Sequence, residues 1–407
     1  MYLTISIIII VLVLLFKVFK NLYSRGSIYN KVPSNVKGLY DKETYKKWQQ
    51  YLLENSKLDL ISDIAETIIV IVLIAWVFKY SVINLKGNNY LGSLIIVAVY
   101  IACNALVSIP VSYYANFKIE EKYGFNKMTK KLFIVDKIKE MMISLILLYA
   151  ACCIYIAIYA WLLNYSVILL YVVGVIIVLL MNFLAPYLVL IFNKKEPLEE
   201  GKLRDELTKL LNSNGYKVKD IYVMDASKRS TKANAFFAGF GNSKSIVLYD
   251  TIVKLLTPEE LVGVFAHETG HGIHKDIAKD FFLSLINILL IIGTVFIITS
   301  NINLYSSFDM QHEYSAFGII LSLEVIIPII EILFSLIFNK VSRKAEYAAD
   351  TFSAKLCYGD YLISALKKLY KDSLGNLSPS KLEIVLDYSH PTLSDRIQNI
   401  ENVKDKL

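Results

Sequence analysis

Five histidines occur among 407 residues, and three of them stand at positions 267, 271 and 274. The run His267-Glu268-Thr269-Gly270-His271 places two imidazoles four residues apart with a carboxylate between them. On a helix that spacing puts both rings on one face, one turn apart. Two imidazoles so placed can bind one Zn²⁺, and Glu268 then points to the adjacent flank, where it can take a proton from water. The local sequence favours a helix here. Thr257 is a good N-cap, Pro258 suits the first helical position, and Glu260 completes a capping box. The chemistry in prospect is metal-assisted hydrolysis, with Glu268 as general base.

Such a site needs a third protein ligand and leaves its fourth position for water. The candidate is Glu346, in Arg343-Lys344-Ala345-Glu346-Tyr347-Ala348-Ala349-Asp350. Asp350 lies one turn beyond it and can accept a hydrogen bond from a ligating histidine, fixing the tautomer. Without the histidine pair, the same segment would read as an ordinary charged helix beside a membrane. Residues 233–249 form two strand-like runs around Gly241-Asn242-Ser243-Lys244. A strand just before the histidine helix can offer a free edge to an extended peptide, with Asn234, Ala235 and Phe236 as its contacts. The plainer alternative is a structural hairpin.

These elements sit in an unusually apolar chain. It is 55% hydrophobic and 19% charged, against about 45–50% and about 25% for ordinary soluble domains. Mean hydropathy is +0.49. That balance excludes a disordered chain or a fibrous repeat and points to a polytopic, all-α membrane protein. Seven apolar runs, near 2–19, 64–83, 90–113, 141–163, 166–192, 281–300 and 316–339, are long enough to cross about 30 Å of hydrocarbon. The first begins at Met1 with no basic region before it and no cleavage site after it, so it reads as a retained span.

Lysine and arginine set the orientation. The segment 17–61 holds nine of them and 114–140 holds seven, whereas the loops 84–89 and 301–315 contain only Lys86. The expectation is an N-terminus outside and a C-terminus inside. The net charge of +7 then reports topology rather than a nucleic-acid partner. The partners expected are a peptide or protein substrate and the lipid bilayer. Four parts follow: spans 1–5 with their inner loops over 1–192, an inner region with the hairpin and histidine helix over 193–280, the last two spans over 281–339, and an inner C-terminal region over 340–407.

A continuous helix from His271 into the sixth span would place the ring within about 15 Å of the membrane, and Glu346 would lie about 10 Å beyond the seventh. The hairpin of spans 6 and 7 thus brings all three ligands to similar depth. Carboxylates at 66, 324 and 331 fall inside spans. Glu324 and Glu331, seven residues apart, should share one face, turned to the bundle interior or a wet cavity. They also keep a transporter or channel open as a reading, although such a protein has no need of the histidine motif.

The assembled pieces resemble the CAAX prenyl protease 1 family of seven-span zinc metalloproteases. The resemblance rests on Ile119-Glu120-Glu121-Lys122-Tyr123-Gly124-Phe125-Asn126-Lys127, Asn234-Ala235-Phe236-Phe237, the histidine motif, the Glu346 segment and Tyr388-Ser389-His390-Pro391-Thr392-Leu393-Ser394-Asp395-Arg396, in family order along nearly the whole chain. It implies one zinc per chain on His267, His271 and Glu346, Glu268 as catalytic base, and His390 and Arg396 facing the reacting carbonyl. It implies a substrate edge at Asn234 and a hollow chamber within the helices. To residues 120–127 it assigns no more than a structural or chamber-lining part. Tyr347-Ala348 and Thr392 depart from the family's usual residues without removing a ligand. The composition, rich in Ile, Lys and Asn, suggests a bacterial plasma membrane, where prenylated substrates are not expected. The function expected is zinc-dependent endopeptidase action on prenylated CAAX-type or membrane-associated proteins. The alternatives are a broad quality-control protease, a transporter or channel, and an inactive scaffold.

Overall fold

The computed structural model describes residues 1–83, 85, 88–161, 168–177, 179–180, 194–228, 230–238, 243–311 and 314–407. The chain begins with four long helices, α1 (Tyr2–Arg25), α2 (Lys42–Val82), α3 (Asn89–Tyr114) and α4 (Lys130–Trp161). Then come β1 (Lys195–Pro197), α5 (Lys202–Ser213), β2 (Lys217–Met224), β3 (Ala235–Ala238) and β4 (Ser243–Tyr249). The remainder is helical: α6 (Pro258–Ile273), α7 (Asp276–Thr299), α8 (Ser315–Lys355), α9 (Gly359–Asp372) and α10 (Leu393–Lys404).

Among the described residues six helices, α1–α4, α7 and α8, are long and apolar enough to cross a bilayer. They match six of the seven expected spans. The expected fifth, 166–192, lies mostly outside the described residues, of which the apolar helix Ile168–Ile177 is one piece. Side-chain caps set several starts: Asp41 accepts from the Thr44 N–H at 2.7 Å before α2, and Asn88 from the Leu91 N–H at 3.1 Å before α3. Ile8, Leu12, Leu15 and Phe19 of α1 stay exposed in a stripe of helical period. In a bilayer that face meets lipid, because a helix satisfies its own backbone and needs only apolar side chains outside.

Polar groups in the spans pair between helices. Glu324 accepts a hydrogen bond from the Tyr100 hydroxyl on α3. Glu331 instead accepts from Asn287 Nδ2 on α7 at 3.1 Å. The expectation that both share one face of the span is therefore corrected. Ser322–Ile326 forms a widened π turn and Pro328 follows it, and a π turn shifts the register of every residue beyond it. A cavity of about 640 Å³ opens between α1, α2 and residues 374–387, with Lys17, Asp63 and Glu66 on its wall. A smaller one of about 80 Å³ joins Lys17 and Glu66 to Glu324.

The sheet runs in the order β1-β2-β4-β3, so β3 is an edge. β3 and β4 pair antiparallel, Ala235 opposite Leu248 and Ala238 opposite Ser245, which is the expected hairpin; most of its turn falls outside the described residues. Ile246 and Leu248 of β4 pack with Leu207 and Leu211 of α5 and with Phe265 and Ala266 of α6. This core seats the histidine helix on the sheet.

α6 starts as its sequence requires. Thr257 Oγ1 accepts from the Glu260 N–H at 3.3 Å, and Glu260 Oε2 accepts from the Thr257 N–H at 2.8 Å. The same carboxylate binds Ser364 and Lys368 of α9, at 2.6 and 2.7 Å. The far end differs from the expected continuous helix into the sixth span. α6 stops at Ile273, and Lys275 takes the left-handed conformation with φ 56° before α7 begins. The break replaces helix continuation by a corner, and the corner turns Asp276 back towards α6.

Candidate metal centre and peptidase site

α6 and α8 meet across two small residues. A Cβ added to Gly270 would lie 2.9 Å from Ala349 Cα, a distance that real side chains do not reach. Ser353 Oγ donates to Gly263 O at 3.0 Å along the same contact. We expect Gly270→Ala to force the two helices apart and to lower stability by about 1–3 kcal/mol, read from thermal unfolding of the purified protein. Gly272→Ala, whose added carbon would meet only the movable Tyr216 ring end, should be milder.

This close contact brings the expected ligands together. His267 Nε2 lies 3.2 Å from His271 Nε2, and Glu346 oxygens lie 3.5 Å from the first and 3.3 Å from the second. One donor atom from each of the three residues falls within 4.8 Å of the others. The Nδ1 atoms face carboxylates: His267 Nδ1 is 2.9 Å from Asp350 Oδ1, and His271 Nδ1 is 3.0 Å from Asp276 Oδ2. With a proton on each Nδ1, assigned from these partners, both Nε2 atoms present lone pairs to each other and to Glu346. Glu346 Oε2 is also buried without a hydrogen bond among the described residues. Three electron-rich atoms converging in a buried space is an arrangement that a cation resolves.

At His271 a proton can take that role. Burial opposes a charge on His271, but the hydrogen bond and charge of Glu346 and the hydrogen bond with Asp276 outweigh it and raise its pKa to about 9. A metal taking this nitrogen must therefore displace a proton at neutral pH.

Asp350 lies behind His267, one of the two histidines that the sequence offered it. Asp276 was missed, although a carboxylate five residues past His271 was visible; a continuous helix would have carried it round to another face. Lys279 Nζ holds the second Asp276 oxygen at 2.7 Å. Arg396 was expected at the reacting carbonyl. Its side chain is only 8% exposed and engages two carboxylates of α8, Glu346 and Asp350. Nε and Nη2 form a fork on Asp350 at 2.9 and 2.7 Å, and Nη1 is 3.3 Å from Glu346 Oε2. Burial opposes the charge on Arg396, yet Asp350 and Glu346 prevail and hold its pKa above the ordinary value. His390 keeps 59% of its side chain exposed, with Nε2 at 3.2 Å from Glu346 Oε1 and Nδ1 at 2.9 Å from the Ser389 hydroxyl.

A cavity of about 360 Å³ links these groups to the sheet, lined by Ala235 and Phe236 on one side and Glu268, His271 and Glu346 on the other. Asn234 directs Oδ1 to the Ala235 N–H at 2.9 Å, and its carbonyl accepts from the Tyr249 N–H at 3.0 Å. It thus shapes the start of β3.

Comparison with known proteins decides the class. Residues 197–404 match Peptidase family M48, and residues 26–194 match the family described as CAAX prenyl protease N-terminal, five membrane helices. The chain belongs to peptidase family M48. This M48 chain is 31% identical to the CAAX prenyl protease 1 homolog of Oryza sativa subsp. japonica, over 92% of its length and 91% of that protein's. It is 29% identical to CAAX prenyl protease 1 of Saccharomyces cerevisiae, over 92% and 90%. The crystal structure of S. mikatae Ste24p superposes with a TM-score of 0.87 at 28% identity, covering 98% of both chains. The chain is accordingly a metalloprotease and an integral, multi-pass membrane protein. The transporter, channel and inactive-scaffold readings fall away.

Proposed function

We propose that this M48 protease holds one zinc ion on His267, His271 and Glu346 and cleaves peptide bonds of CAAX-type substrates, the class named for its relatives. One observation carries the reading: a single cavity joins the free edge of β3 to Glu268 and two of the three ligands. The donor set suits the metal, since two imidazole nitrogens and a carboxylate leave one position open. When bound, zinc supplies Lewis acidity that polarises a carbonyl and acidifies water.

The chain's own residues do the rest. An extended peptide adds to the outer edge of β3, with Ala235 and Phe236 beneath it. Glu268 takes a proton from the attacking water and passes it to the leaving amine. His390, exposed beside Glu346, donates to the oxygen that gains charge. Asp350 and Asp276 hold the two imidazoles in the tautomer a ligand needs. Arg396 acts through Asp350 and Glu346 rather than on the substrate. The excess of Lys and Arg over 17–61 and 114–140 supports placing this site on the cytoplasmic side. The bacterial setting rests on composition alone, and the relatives named above come from a plant and two yeasts.

The deciding experiment incubates detergent-purified protein with a farnesylated CAAX peptide and with an unprenylated membrane peptide, with and without a zinc chelator. Chelator-sensitive cleavage of the farnesylated peptide is expected. Cleavage of only the unprenylated peptide would favour a quality-control role, and chelator-resistant cleavage would sink the zinc assignment. For the partner of His271, Asp276→Asn should weaken zinc binding by about 10–100-fold, measured by competition with a chromogenic chelator.

A further inference from the structure

The segment 120–126 has no part in the site as described, yet it grips the chain next to β3. Gly124, with φ 86°, lets residues 120–126 turn back on themselves, so that the Phe125 N–H donates to Glu120 O at 2.8 Å. Tyr51 of α2 packs edge-on against both Tyr123 and Phe125, with centroids 4.9 and 5.5 Å away. Its hydroxyl donates to Glu120 Oε1 at 2.6 Å. The turn is thereby fixed to the membrane helices.

Its outer side is stitched to the residues that lead into β3. Asn126 and Ser230 form an antiparallel bridge, and the Thr231 N–H donates to Phe125 O at 3.3 Å. Lys232 Nζ lies 3.3 Å from Glu120 Oε2 and 5.2 Å above the Phe125 ring. Lys232 O in turn accepts from the Thr251 hydroxyl at 3.1 Å. Only Ala233 and Asn234 separate Lys232 from the strand whose first residues line the cavity.

β3 is a short edge with one paired side, and such strands fray unless tied down. The tie here runs through a salt bridge, a cation–ring contact and two backbone contacts, all to one turn. We propose that Glu120 and Lys232 are positioning residues for substrate binding: they hold the receiving edge of β3 at a set distance from Glu268 and the metal ligands. The proposal rests on the reading that β3 takes the peptide. It places the effect on KM, because neither residue reaches the reacting atoms.

The test uses the full-length protein in detergent. Steady-state cleavage of the farnesylated peptide is measured for wild type, Glu120→Gln, Lys232→Met and the swapped pair Glu120→Lys with Lys232→Glu. Each single change should raise KM by about three- to ten-fold, leave kcat within about two-fold and keep wild-type zinc content. The swapped pair should recover most of the loss. In parallel, hydrogen exchange of amides 235–238 should quicken in both single variants while amides 267–271 stay unchanged. Unchanged KM with unchanged exchange overturns the proposal, as does a swapped pair worse than either single, or loss of zinc with kcat. If the wild type cleaves neither peptide, the functional reading fails, and the exchange measurement alone still decides whether the clamp holds β3.

Discussion

Glu268→Gln is expected to keep its zinc and lose cleavage. The side chain lines the cavity beside His271 and Glu346 but is not one of the converging donor atoms. Replacing it by its amide removes the proton acceptor while preserving shape and volume. General acid–base groups are worth about 10²–10⁴-fold, and Glu268 serves twice, once on water and once on the leaving amine. A fall in kcat/KM of at least about 10³-fold follows, with one zinc per chain retained by elemental analysis. Near-wild-type activity would remove Glu268 from the mechanism. Loss of zinc with activity would instead make it a structural part of the metal site.

The second large effect is expected at Arg396. Asp350 is fully buried, and Glu346 is 5% exposed. Their charges are tolerated because one guanidinium reaches both. Arg396→Met leaves two carboxylates facing each other with less opposing charge. Breaking a buried pair from one side costs about 3–5 kcal/mol. A large drop in the unfolding midpoint should follow, partly recovered by added zinc, because zinc binds the folded state. Arg396→Lys keeps the charge but loses the fork and should fall between. If Arg396 instead met the reacting carbonyl, Arg396→Lys would leave stability intact and lower kcat alone.

Much of the site was legible because its residues are close in sequence or carry a helical period. His267, Glu268 and His271 share one capped helix, and Glu346 and Asp350 share another. Local spacing fixes which side chains share a face, so both halves could be read separately. Asp276 was not legible, since its approach depends on one left-handed residue, Lys275, that breaks the expected helix. The divergence of Glu324 and Glu331 was hidden for a related reason. A π turn changes the period that sequence counting assumes.

The sequence by itself determined the membrane character, seven apolar runs of which six are spanning-length helices among the described residues, the hairpin and the two motif helices, because hydropathy and short-range periodicity are local properties. Only the tertiary structure decided that α6 and α8 touch at Gly270 and Ala349, that Arg396 is spent on Asp350 and Glu346, and that the turn at 120–126 holds the chain before β3. Those contacts join residues tens to more than a hundred positions apart. They arise from packing small residues, burying charge with its partner and closing a sheet edge, and no local pattern encodes which distant segment supplies the other half.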